Sequence, residues 1–281
     1  MRTSNPMQLK ALIRARAMAL GASPQLVLQD YLLERLLVRV SLSRWREAVI
    51  LKGGMLVASL VGVEGRVTKD LDTTVVGVPL THDMSGSLFG EICAIETDDG
   101  ITFELVRTTD IREADAYPGI RVSVAARYGS MAVPLSIDVT TGDAITPGAV
   151  DHAHRLLFDE GSIPLKAYPP ATCMAEKLET VITRGIATTR PRDYYDIVAL
   201  WRTCREELAP EVLSSALLAT ATHRGSADQL RGYARIMGEV AADPSMRARW
   251  EVYARSYSYV GDLTLGEACA VVVQIMDTLG W

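Results

Sequence analysis

The chain has 281 residues, with 29 Lys and Arg against 34 Asp and Glu, a net charge of −5 and ordinary apolar content. That length accommodates two modest domains or one large one, and that charge gives no whole-molecule attraction to nucleic acid, so an RNA partner needs a local basic surface. The four cysteines (Cys93, Cys173, Cys204, Cys269) lack CxxC or ligand spacing, Lys10, Arg14 and Arg16 interrupt the apolar stretch of a signal peptide, and no run is long enough to span a membrane. A protein of the reducing cytoplasm, with no zinc site, no disulfides and no membrane partner, is expected.

Residues 7–47 read as helical. Leu9, Leu12 and Ile13, then Tyr31, Leu32, Leu36, Leu37 and Val40, recur at helical spacing. Gly21-Ala22-Ser23-Pro24 separates two helices, with Ser23 as N-cap and Pro24 at the first helical position. Ala48–Leu51 is a short apolar run suited to a strand. Gly53-Gly54 turns the chain into a helix ending near Val61, a loop follows, and Asp70–Val78 reads as a strand rich in β-branched residues.

Three further strands are expected. Ile101–Thr108 alternates partly. Ile120, Val122 and Val124 alternate with Arg121 and Ser123, while Leu135, Ile137 and Val139 alternate with Ser136, Asp138 and Thr140. That period of two sets Asp138 on the polar face. Residues 147–170 read as a Pro-containing connection. From Cys173 onward the pattern is helical, over about 173–184, 193–207, 210–222, 228–241, 245–257 and 264–279. Strands in the first half and helices in the second predict an α+β fold, with a mixed sheet and flanking helices over residues 1–165 and a helical C-terminal domain over 166–281.

The chemistry-bearing residues fall into two groups. Asp70 and Asp72 are two apart on a strand, so they project to one face. Co-directed carboxylates are costly unless a cation sits between them, and hard oxygen ligands suit Mg²⁺. Gly53 and Gly54 open a helix whose N-terminal amides suit a triphosphate. Asp138 joins the pair if its strand lies beside theirs. The bland alternative is an ordinary D-x-D on a solvated strand. In the second group, Lys177 stands on a helix beside the buried stripe Met174, Leu178 and Val181, and Asp193 and Asp196 share a turn of the next helix. A lysine near phosphates neutralises charge, and a carboxylate facing it orients it; an ordinary helix–helix ion pair is the alternative. Arg66 and Lys52 suit phosphate contact, His152-x-His154 is a weak metal candidate, and Arg231, Arg235, Arg247, Arg249 and Arg255 are either an RNA-facing surface or a solvated one.

The ordered set Leu51-Lys52-Gly53-Gly54, Arg66, Asp70-Leu71-Asp72, Ile137-Asp138-Val139, Glu176-Lys177-Leu178, Arg184 and Arg192-Asp193-Tyr194-Tyr195-Asp196 resembles the AbiEii/MenT family of nucleotidyltransferase-like toxins, within the DNA polymerase β-like superfamily. The resemblance covers about residues 8–205. It implies a nucleotidyltransferase fold, a toxin–antitoxin role, and transfer of nucleotides, often pyrimidines, from an NTP to the 3′ end of tRNA, which blocks aminoacylation. By this resemblance Asp70 and Asp72 bind Mg²⁺, Asp138 is the third carboxylate, Gly53 and Gly54 hold the triphosphate with Lys52, Arg66 and Asp196 nearby, and Lys177 is the essential lysine. Asp193 matches the downstream aspartate better than Asp196, and the sequence leaves the choice open. The antitoxin is of either winged-helix repressor or kinase type, the latter phosphorylating the position of Thr68. A small hydroxylated acceptor, or a non-catalytic GTP-binding module, are the competing functions.

Overall fold

The computed structural model describes residues 6–62, 68–111 and 119–281. The chain divides into two compact units. The first holds the helices α1 (Pro6–Leu20), α2 (Pro24–Leu42) and α4 (His82–Cys93), the start of α3 (Gly53–Val61), and a sheet of β1 (Val49–Lys52), β2 (Asp70–Val75), β3 (Thr102–Asp110), β4 (Ile120–Tyr128), β5 (Met131–Thr141), β6 (Val150–Arg155) and β7 (Ser162–Ala167). The second holds α5 (Pro170–Arg184), α6 (Arg192–Thr203), α7 (Pro210–Arg224), α8 (Ala227–Leu230), α9 (Tyr233–Ala242), α10 (Pro244–Ser256) and α11 (Leu265–Leu279). This is the mixed α+β architecture expected from the sequence.

The strand order is β3-β4-β5-β2-β1-β7-β6. β2 pairs in parallel with β5 and antiparallel with β1, and β1 pairs in parallel with β7. One face is apolar: Val49 and Leu51, Leu71 and Val75, Leu135, Ile137 and Val139, and Val122 and Val124 are all buried. Helices α2 and α4 pack on the sheet. Burying each of these side chains stabilises by about 1.5–3 kcal/mol, which fixes the register that turns the polar alternates to the opposite face. The β4–β5 hairpin turns through Gly129 and Ser130, pairing Tyr128 with Met131 and, further along, Arg121 with Asp138. Gly129 supplies the positive φ of that turn.

Ser23 caps α2, its hydroxyl accepting from the Leu26 amide at 3.2 Å. Helix α2 ends at Leu42, short of the expected 47, because Ser43 leaves the helical region. Residues 147–170 are not a simple connection: they contain the β6–β7 hairpin. Pro164 disguises β7, and it is tolerated because β1 pairs only with Lys166 and Ala167, leaving the edge at Pro164 unpaired. The expected helix over 228–241 is broken at Arg231-Gly232 into α8 and α9. Helix α4 was not anticipated; Thr81 caps it, and Ser85, Leu88, Phe89, Ile92 and Cys93 form its buried stripe.

In the second unit, α5 contacts α6 and α7, and α11 contacts α6, α7 and α9. Met174, Leu178, Ile197, Leu217, Val272 and Met276 are all fully buried there. All four cysteines are free and buried. Among the described residues, no helix is long and apolar enough to cross a membrane.

Candidate functional site

The sheet register assembles a charged row on the polar face of the first unit. Lys52 of β1 pairs with Asp72 of β2, Asp72 with Asp138 of β5, and Asp138 with Arg121 of β4. Asp70 lies two residues before Asp72 and pairs with Ser136. The adjacency on which Asp138's part depended is therefore present: its strand is β2's neighbour.

Gly53 and Gly54 start α3 directly behind this row. Gly53 has φ +67°, a conformation that favours glycine. A Cβ built there would lie 2.1 Å from the Asp72 Oδ2 and 2.6 Å from its Cγ. The Gly54 amide points at the same Oδ2, 3.4 Å away. Only a residue without a side chain lets the helix start approach the carboxylate this closely.

Both oxygens of Asp138 are engaged. The Arg121 Nε and Nη2 each donate to one of them at 2.8 Å. Asp138's hydrogen bonds and charge hold the Arg121 guanidinium above its ordinary pKa, and the charges of Asp70 and Asp72 add to this. Lys52 Nζ donates to Thr140 Oγ1 at 2.7 Å. Sequence reasoning placed Arg121 on the polar face of its strand but gave it no role; only the strand order reveals its partner.

Among the described residues, no cluster of three His, Cys, Asp or Glu is spaced to hold a metal ion. Asp70 and Asp72 nevertheless fit Mg²⁺ by donor chemistry. Two hard oxygen donors on one face are sufficient for an ion that keeps several waters and takes further ligands from substrate phosphates. Asp138 gives one acceptor position on each oxygen to Arg121 in its bidentate pair.

Thr68 is buried. Its Oγ1 donates to the Asp70 carbonyl at 3.0 Å, and its amide donates to Asp30 Oδ1 at 3.2 Å. Arg66 lies outside the described residues.

The second unit carries the other group by itself. Lys177 Nζ lies 2.7 Å from Asp193 Oδ1 and 2.7 Å from Asp196 Oδ2. Tertiary packing thus brings α5 and the first turn of α6 together, and both candidate carboxylates hold the lysine. Beside them Arg224 of α7 clamps Glu176 and Glu179 at 3.0 and 2.6 Å. The C-terminal arginines are partly committed: Arg235 pairs with Glu239, Arg247 donates to the Ala241 carbonyl and Arg249 to that of Thr188.

His152 and His154 lie in β6, not in a loop. His152 Nε2 is 2.9 Å from Ser59 Oγ. Burial lowers the pKa of both rings, and the charges of His152 and Arg35 help bring His154 to about 4. Among the described residues no third ligand completes a site with these two imidazoles, which gives them a packing role.

Comparison with protein families matches residues 35–270 to the nucleotidyl transferase AbiEii toxin of type IV toxin–antitoxin systems. Two solved Helicobacter pylori structures share the fold. One is described as a nucleotidyltransferase (17% identity, 92% of this chain and 97% of that chain, TM-score 0.52). The other is JHP933 (15% identity, 92% and 94%, TM-score 0.51). A comparison with curated proteins finds no match.

Proposed function

The chain belongs to the AbiEii family of nucleotidyltransferase toxins of type IV toxin–antitoxin systems, and on that premise we propose that it is a Mg²⁺-dependent enzyme that transfers a nucleotide, a pyrimidine by preference, from an NTP to the 3′ end of tRNA in the cytoplasm. The family implies a cognate antitoxin; its type, repressor or kinase, belongs to the proposal. The observation that best supports the reading is the contact of the Gly53–Gly54 helix start with Asp72, because it sets phosphate-binding amides against a metal-type carboxylate.

In this mechanism Asp70 and Asp72 hold Mg²⁺, which when bound supplies positive charge to the phosphate oxygens. The first amides of α3 cradle the triphosphate, with Lys52 of the adjoining strand as a nearby cation; the family resemblance adds Arg66. On the second unit, Lys177 is assigned as the essential lysine that the family resemblance implies, with Asp193 orienting it and Asp196 holding the same ammonium. A ribose hydroxyl oxygen attacks the α-phosphorus, the bond to the β-phosphate oxygen breaks, and pyrophosphate leaves as the hydroxyl proton is released. Positioning and charge neutralisation supply most of the acceleration in such a transfer.

The test is label transfer. Parent and Asp72→Ala proteins are incubated with Mg²⁺, total tRNA and each α-labelled NTP in turn. Labelled tRNA from the parent alone supports the reading and names the nucleotide. Equal labelling by both proteins would remove Asp72 from the mechanism.

A further inference from the structure

The third carboxylate of the polar face is already occupied. Arg121 and Asp138 are direct register partners on adjacent antiparallel strands, a relation that brings side chains of one face within about 4.5–5.5 Å at Cβ. The guanidinium meets the carboxylate side on, one donor to each oxygen, the geometry that makes such pairs strong and directional. Three carboxylates, Asp70, Asp72 and Asp138, share this face with two cations, Lys52 and Arg121. Among the described residues these five groups carry one net negative charge.

We infer that Arg121 is a positioning residue, the resident counter-cation of Asp138: it keeps that carboxylate out of ion coordination, so that the nucleotide-free protein takes one divalent ion at Asp70 and Asp72 rather than two. The inference rests on the proposed metal role of Asp70 and Asp72. A metal ion seeking the bidentate edge of Asp138 competes with the guanidinium that already lies along it, and arginine cannot yield by losing a proton. It yields only by moving. The Arg121 side chain is 45% exposed and Asp138 19%, so the guanidinium can swing off without unpacking the apolar face. Phosphate oxygens match its planar fork as well as a carboxylate does. Arrival of a triphosphate therefore offers Arg121 an alternative partner and frees Asp138, which ties opening of the third ligand to the presence of substrate.

The experiment is a Mn²⁺ titration of the nucleotide-free full chain, followed by the electron paramagnetic resonance signal of the free ion. The proteins are the parent, Arg121→Ala, Arg121→Lys and the Arg121→Ala/Asp138→Asn double variant, with thermal melts to verify folding. The parent should hold one Mn²⁺ per chain and Arg121→Ala two. The double variant should return to one. Arg121→Lys, which keeps the charge but not the fork, should admit a second ion more weakly than Arg121→Ala. Equal stoichiometry and affinity in parent and Arg121→Ala overturns the inference, as does a parent that already binds two ions. A folded parent that binds no Mn²⁺ overturns instead the metal role of Asp70 and Asp72, and the inference with it.

Discussion

Replacing Gly53 by alanine tests the geometry at the start of α3 with one methyl group. Two costs follow from the structure. At φ +67° an L-residue is strained by roughly 1–2 kcal/mol. The new Cβ would also meet the Asp72 Oδ2 at 2.1 Å, whereas real Cβ contacts essentially never fall below 3.0 Å. The carboxylate must therefore retreat by about 1 Å, a misplacement that can cost on the order of 10²-fold in rate. The backbone cost alone lowers Tm by about 2–8 °C, using roughly 2–4 °C per kcal/mol for chains near this size. Gly77→Ala is the matched control. Gly77, two residues beyond the end of β2, has φ +72°, but nothing lies within 4 Å of its added Cβ, so it carries the strain without the collision. Melting curves and label transfer from an α-labelled NTP are measured on both. A similar drop in Tm is expected, with activity lost only in Gly53→Ala. If Gly53→Ala transfers nucleotide as well as Gly77→Ala at the same folded fraction, the contact with Asp72 does not matter and the reasoning fails.

The two carboxylates on Lys177 should separate in their effects. Asp196 is fully buried and Asp193 is 9% exposed at the side chain. Asp196→Ala removes the fully buried of the two carboxylates on an ammonium that Asp193 still holds, with a cost on the order of 1.5–3 kcal/mol, whereas Asp193→Ala should lose transfer while remaining more stable in urea. A less stable Asp193→Ala would reverse the assignment. Acid should weaken the fold through His154, whose pKa is lowered to about 4 chiefly by burial. As pH falls below 6.5 the unfolded chain binds the proton first, so stability drops between pH 6.5 and about 4, by about 3 kcal/mol in all. Burial of Glu34 raises its pKa and acts in the opposite sense, so the informative quantity is the difference between parent and His154→Leu in urea midpoints from pH 7.5 to 4.5. The same slope in both proteins would refute the role given to His154.

Much of the fold was visible in the residues. The Gly53-Gly54 helix start, the Asp70 strand and the alternation in β4 and β5 depend on local spacing, and local spacing is what a sequence displays. The failures have separate causes. In α4 the buried stripe Ser85, Leu88, Phe89, Ile92 and Cys93 has helical period, but Gly86 and Gly90 and a polar first turn weakened the signal. In β7 the proline spoke against a strand, and its tolerance depends on how short β1 is. Pairings such as Arg121 with Asp138, or Lys177 with both aspartates, depend on strand order and helix docking. The residue types were legible there, but who meets whom was not.

The Gly129–Ser130 turn has a reach well beyond its size. Arg121 lies seven residues from the end of β4 at Tyr128, about 23 Å along the strand at 3.3 Å per residue. Remote as it is, the turn acts as the zero mark of a ruler on which Arg121 and Asp138 are opposite graduations. One added residue in the turn, if absorbed by sliding β4 rather than by a bulge, would move every graduation by one. Arg121 would then face the apolar side, and Asp138 would look across at a valine or an isoleucine. Length variation at this remote surface turn is therefore constrained by the Arg121–Asp138 pair and the apolar face as well as by turn chemistry. A homologue with a longer loop here is expected to carry a compensating bulge in β4 or to place its cation at a different position.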